Sequence, residues 1–295
     1  MKTGQLVNLI GNTPMVKVNN LLKKEGVSLY IKLEGNNPGG SVKDRPAYHM
    51  IRSAMERKEL CKGDHLIEAT SGNTGIALAM IAAQFGLTME LVMPENATKE
   101  RIQTMKAYGA KLSLTPAVEG IEGSRKYAEE QAREKGYTLL NQFANDDNWK
   151  AHYQSTGPEI WRDTAGAITH FVSAMGTTGT IMGTGRFLKE QNQAIQVVGA
   201  QPSEGSKIPG IRKWSKEFVP AIFKPEKVDQ IIEVSEEEAR SMTRKLAREE
   251  GILAGMSSGG ALSAALKLAQ TLDKGLIVSI VCDRGDRYLS SDLFH

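Results

Sequence analysis

The sequence predicts an α/β fold with parallel strands flanked by helices. Short apolar, strand-like runs alternate with helix-like stretches along the chain, the pattern of parallel sheets covered on both faces. Three loops rich in glycine and hydroxyl residues each stand between such a strand and the next helix. Ligand sites in this fold class sit at the carboxyl ends of strands.

The elements follow in order. Residues 28–33 alternate β-formers and read as a strand. Residues 34–45, Glu-Gly-Asn-Asn-Pro-Gly-Gly-Ser-Val-Lys-Asp-Arg, form a glycine-rich turn that brings Lys43 to a helix start. Pro46 restricts where that helix begins, because proline lacks an N–H and is harmless only in the first turn. The helix is therefore expected to be capped at Val42 or later, with Asp44 the best capping side chain. Residues 66–69 form a second strand, and Thr70-Ser71-Gly72-Asn73-Thr74-Gly75 leads into the helix 76–83, apolar on all sides. Strand 89–93 precedes a helix over 98–108, stopped by Gly109. Strand 111–114 precedes a charged helix over 122–135, stopped by Gly136. Strand 137–140 runs into the polar stretch 141–149, the best candidate for a boundary between halves. Strand 170–175 ends in Gly176-Thr177-Thr178-Gly179-Thr180. Strands are also expected over 196–200, 230–234, 252–254 and 276–281, with Ser257 as a helix N-cap after the third of these.

Composition excludes several function classes. The 295 residues can hold two domains or one large one. With 40% hydrophobic and 24% charged residues, the chain has the balance of an ordinary globular protein. A net charge of +3 is too small for this length to argue for nucleic acid. Two cysteines, Cys61 and Cys282, with no Cys-x-x-Cys spacing, suggest a reducing compartment. The five histidines lack metal-ligand spacing. Met1-Lys2-Thr3-Gly4-Gln5 lacks the sections of a signal peptide, and no apolar run approaches membrane-spanning length. A cytoplasmic protein is expected.

The loops carry the chemistry. A lysine at the positive end of a helix has its ammonium form disfavoured, and a deprotonated lysine makes Schiff bases. The free N–H groups and hydroxyls of the 70–75 loop suit a carboxylate. Two glycines and three hydroxyls ahead of a helix, at 176–180, make a phosphate cradle. That loop is neither a Walker loop nor Gly-x-Gly-x-x-Gly. A lysine, a carboxylate loop and a phosphate loop together imply a phosphorylated aldehyde cofactor.

With these motifs the chain resembles the pyridoxal-phosphate-dependent cysteine synthases, the O-acetylserine sulfhydrylases. The resemblance runs from Ile10-Gly11-Asn12-Thr13-Pro14 to Asp286-Arg287-Tyr288-Leu289-Ser290. It is closest to the B isozyme, through residues 34–38, Ile208-Pro209-Gly210-Ile211-Arg212 and Cys282-Asp283-Arg284-Gly285-Asp286-Arg287. It implies a tryptophan-synthase-β-like, type II fold of two α/β domains with twisted, mostly parallel sheets. These are placed at 1–147 and 148–295, with about 13–35 crossing to the second. It implies that Lys43 carries pyridoxal 5'-phosphate and acts as general base. Asn73 binds the ring oxygen. Gly176, Thr177, Thr178, Gly179 and Thr180 bind the phosphate, and Ser257 faces the pyridine nitrogen. Thr70, Ser71, Asn73, Thr74 and Gln142 take the substrate carboxylate.

The implied reaction converts O-acetylserine and sulfide to cysteine through an α-aminoacrylate. A neutral serine opposite the nitrogen makes a weaker electron sink than a carboxylate would, favouring replacement at Cβ over transamination. Arg212 would suit a bulkier donor such as thiosulfate, giving S-sulfocysteine. Cys282 is read as a strand-end core cysteine, with a place near the ring as the other reading. A homodimer is implied, and the A type also binds the tail of serine acetyltransferase. Two other readings stay open: a serine or threonine dehydratase, and a catalytically silent partner protein of the same fold.

Overall fold

The computed structural model describes residues 5–295. Met1–Gly4, and with them most of the segment tested above for signal-peptide character, lie outside the described residues.

Ten strands form two sheets. The strands are β1 Met15–Lys17, β2 Val27–Leu33, β3 His65–Ala69, β4 Thr88–Pro94, β5 Lys111–Thr115, β6 Thr138–Leu139, β7 His170–Ala174, β8 Gln196–Pro202, β9 Gln230–Val234 and β10 Gly275–Val281. The helices are α1 Asp44–Glu56, α2 Asn73–Phe85, α3 Lys99–Ala107, α4 Gly120–Lys135, α5 Asp146–Ala151, α6 Gly157–Asp163, α7 Gly179–Gln191, α8 Glu236–Glu250 and α9 Met256–Thr271. A π-helical turn, His152–Thr156, joins α5 to α6.

The larger sheet has the order β1-β2-β10-β7-β8-β9 and the smaller β5-β4-β3-β6. All pairings are parallel except β1 with β2, at the edge. Residues 15–33 thus share a sheet with strands from 170–281, while the smaller sheet comes from 65–139. β10 lies between β2 and β7, and its last five residues are buried. This explains its nearly continuous apolar run, broken only by the buried Ser279. α2 is buried through Thr74–Ala82, as its all-round apolar surface requires, and ends at Gly86 with φ +66. A capping box between Ser235 and Glu238 starts α8.

One expected feature differs. Residues 252–254 form no strand, only a bridge between Ala254 and Arg284. The left-handed Gly251 that ends α8 and the cap of α9 at Gly255 leave too little extended chain between them. The stretch 141–149, between the last strand of the smaller sheet and β7, is well packed. Asp147 and Asn148 are buried, and Arg57 of α1 pairs with Asp147 at 2.7 Å.

A buried ion cluster ties the start of α1 to α6 and to the end of β2. Arg45 donates to both oxygens of Glu34 and both of Glu159, at 2.6–2.8 Å. Lys32, fully buried on β2, reaches Glu159 at 2.9 Å and the Thr13 carbonyl at 2.9 Å. Burial works against ionised Glu159, but Arg45 and Lys32 outweigh it and hold the carboxyl down at about 2. A carboxyl lowered in this way stabilises the fold above its ordinary range, and that contribution is lost as pH falls towards 2. Arg45→Met should leave buried Glu34 without its paired cation, and Glu159 with Lys32 alone, and cost about 3–5 kcal/mol at pH 7. Urea unfolding of the variant beside the wild type measures the loss. An unchanged midpoint would deny the cluster any net role.

Candidate active site

Lys43 is the N-cap of α1, so Pro46 falls in the first turn. Asp44 does not cap the helix as expected. Lys43 occupies the cap position, and the Asp44 carboxylate turns back to accept the Gly39 N–H. The lysine loop is laced to the chain after β10. Val42 N donates to Cys282 O at 2.8 Å, Ser41 bridges Asp283, and Arg287 donates to the Gly39 carbonyl. Gly40 has φ +79, and a Cβ there would strike Arg287. Burial pushes the Lys43 ammonium below its usual range, with Cys282 and Asp283 pulling the other way. A lysine held towards its neutral form is a competent nucleophile.

Cys282 is half-buried at the end of β10 and faces Lys43. It also packs against the apolar cluster that holds Phe171, Val278 and Ile280, as a strand-end core cysteine does. Burial pushes its thiol up to about 11, which keeps it protonated and a poor competitor for an aldehyde. The Ser257 hydroxyl lies against this thiol. Ser257 is buried at the second position of α9; the cap itself is Gly255, so the expected N-cap role falls away.

Asn73 opens α2, but both ends of its amide already have partners. Its Nδ2 donates to Asp283 Oδ2 at 2.7 Å, and its Oδ1 accepts from Arg287 at 2.6 Å. Tyr288 donates to the same Asp283 oxygen at 2.6 Å, while Asp283 Oδ1 is buried without a partner. In the same loop, Thr70 Oγ1 accepts the Gly72 N–H, and Ser71 and Gly72 border open space. Thr74 donates to Gln142 Oε1 at 2.9 Å.

The 176–180 loop opens onto the thirteen-residue helix α7. Thr178 has φ +72, and its buried Oγ1 has no partner among the described residues. Thr177 Oγ1 accepts from Asn148 Nδ2 at 3.2 Å. Thr180 lies 3.3 Å from Nε2 of His152, whose burial keeps the ring neutral. Gly176 must be glycine, since a Cβ there would sit 2.8 Å from the Gly210 carbonyl. An unpartnered hydroxyl and free helix amides fit a phosphate.

The three loops and Ser257 therefore converge. Val42, next to Lys43, bonds the Cys282 carbonyl, the Cys282 N–H donates to Ser258 Oγ at 2.9 Å, the adjoining Ser257 packs on Gly210, and Gly210 abuts Gly176. Gln142 joins the 70–75 loop to Asn148 and so to Thr177. Arg212 stands apart. It is exposed at the rim of an 820 Å³ surface cavity, stacked 5.5 Å over Trp214, whose indole N–H donates to the Gly176 carbonyl. The residues missed by sequence reasoning are Asn148, His152, Asp283 and Arg287. The last two stood in a motif already singled out, and the first two beside or within a stretch taken as a boundary.

The family described as "Pyridoxal-phosphate dependent enzyme" matches residues 6–283. The cysteine synthase B of Pseudomonas aeruginosa is 56% identical over 289 residues, covering 98% of this chain and 97% of its own. That of Escherichia coli is 53% identical, covering 98% and 95%. Among solved structures, a cysteine synthase from Entamoeba histolytica superposes with a TM-score of 0.95 at 37% identity, covering 100% of this chain and 91% of that one. An O-ureido-L-serine synthase gives 0.93 at 37%, covering 99% and 95%.

Thr178→Val should remove an orphaned hydroxyl without orphaning another group. The ligand-free protein is expected to unfold no earlier than the wild type, whereas affinity for pyridoxal phosphate should fall about tenfold. Fluorescence titration of the ligand-free protein gives the affinity. Unaltered binding would place the phosphate elsewhere.

Proposed function

The chain belongs to the pyridoxal-phosphate-dependent enzymes, among the cysteine synthases, and we propose that Lys43 is the residue on which its chemistry turns. The enzyme is a transferase that makes cysteine from O-acetylserine and sulfide by replacement at Cβ. The observation that carries the assignment to Lys43 is its half-buried amine, pushed towards the neutral form at the end of the glycine-rich loop.

The bound cofactor supplies the electron sink that makes the substrate's α-proton labile and lets acetate depart from Cβ. The protein's residues do the rest. Lys43 Nζ, once displaced by the substrate amine, takes the proton from Cα and returns it after sulfur has added. The hydroxyls of Thr177, Thr178 and Thr180, with the amides of Gly176 and Gly179, hold the phosphate. Ser257 would offer a neutral hydroxyl to the pyridine nitrogen, and Asn73 would hydrogen-bond the ring oxygen. That role requires Asn73 to exchange at least one of its present partners, Asp283 or Arg287. Thr70, Ser71, Asn73, Thr74 and Gln142 hold the substrate carboxylate and so aim the Cα–H bond at Lys43.

The chain divides on this reading into units of residues 1–147 and 148–295, with about 13–35 crossing over, and acts as a cytoplasmic homodimer. Its free cysteines accord with a reducing compartment. Arg212 extends the donor range to thiosulfate, whose oxygens a guanidinium can bind and sulfide lacks.

Borohydride reduction of the loaded enzyme followed by peptide mapping should label Lys43. A label on another lysine would overturn the assignment. Arg212→Ala should depress S-sulfocysteine formation from thiosulfate about tenfold to a hundredfold while sparing cysteine formation from sulfide. Mass analysis of products with each donor distinguishes this from a role in binding the amino acid, which would lower both.

A further inference from the structure

Glu68 stands near the end of β3, two residues before the 70–75 loop, and is 3% exposed. Its side chain is committed to a short piece of backbone. Oε2 accepts the Asn141 N–H at 2.9 Å and Oε1 the Gln142 N–H at 3.5 Å. Asn141 has φ +52, the left-handed region that costs a non-glycine residue. A buried carboxylate is itself costly, so two unfavourable features meet at one turn. Both are directed at Gln142. Its side-chain oxygen accepts from Thr74, and its carbonyl accepts from Asn148 at 2.6 Å, which also reaches Thr177.

We propose that Glu68 is a positioning residue for the amino-acid substrate: it holds the left-handed Asn141 turn so that Gln142 meets Thr74 and shapes the loop that takes the substrate carboxylate. The proposal rests on the assignment of Thr74 and Gln142 to that carboxylate. Hydrogen bonds from two amides to one anion are stronger than those between neutral groups, and they act on backbone, so Glu68 needs no contact with substrate.

The surroundings make this hold depend on pH. Burial pushes Glu68 up to about 7, while the Arg125 guanidinium of α4 and the amides pull it down. Glu129 of α4 borders the same small cavity. β4 brings Leu91 alongside, and β6 contributes Leu139. The ionised form accepts both amides, whereas the protonated form turns a hydroxyl towards one of them. Substrate binding should therefore strengthen as pH rises through about 7.

The test uses the loaded enzyme titrated with L-serine, which has the carboxylate and amine but no acetate to lose. Glu68→Gln should weaken L-serine binding and raise KM for O-acetylserine about tenfold. Cofactor retention should be unchanged, kcat should stay within about twofold, and the inflection near pH 7 in L-serine affinity should vanish. Adding Asn141→Gly, which accepts the positive φ without strain, should recover much of the loss. Equal losses of L-serine affinity, cofactor retention and kcat would mark Glu68 as merely structural and overturn the proposal, as would failure of the double variant to recover. Should Glu68→Gln not fold, a flat wild-type profile through pH 7 overturns it instead. Thr74→Val is run alongside. If Thr74→Val leaves L-serine affinity intact, the carboxylate assignment itself fails. If Thr74→Val weakens binding and Glu68→Gln does not, only the role of Glu68 fails.

Discussion

Arg45 holds the site in register. Its guanidinium spans Glu34, at the end of β2, and Glu159, on α6, in a space with almost no water. Lys43 lies two residues before it, so whatever fixes Arg45 fixes where the reactive amine leaves the backbone. A buried pair of this kind adds little net stability over a well-packed apolar substitute. Its value here is geometric. A bidentate fork admits few orientations, and three parts of the chain that are distant in sequence must agree for it to form.

The second half of the site is held by a different device. Asp283 and Arg287, from the chain after β10, grip Asn73 and the Gly39 carbonyl. They join the lysine loop to the start of α2. The negative charge of Asp283 also opposes the effect of burial on the Lys43 proton. The balance keeps the amine closer to neutrality without stranding a bare charge. The lysine is thus prepared by its surroundings as much as by its place at a helix start.

The 70–75 and 176–180 loops are joined through neutral groups. Thr177, Asn148, Gln142 and Thr74 form a chain of hydrogen bonds between the two loops. The adjoining His152 is kept uncharged by burial. A hydrogen-bonded chain of uncharged side chains transmits position with little penalty from desolvation. The buried carboxyl of Glu68 lies behind the loop rather than in it.

Much of this was legible in the sequence because it is local. Lys43, the 70–75 loop and the 176–180 loop announce themselves by strand-end position, glycine spacing and hydroxyl content, all of which act over a few residues. Alternation of short apolar strands with helices determined the α/β class for the same reason. Contacts between distant segments decided the rest. Asn148 and His152 sat beside or within a polar stretch that reads as a connector until α1 and α7 pack against it. Asp44 reads as a cap until Gly39 folds back onto it, and Ser257 reads as a cap until Gly255 takes that position. A sequence records which groups can make hydrogen bonds and carry charge. Burial and the approach of remote backbone, which set partners and pKa values, exist only once the two sheets have come together.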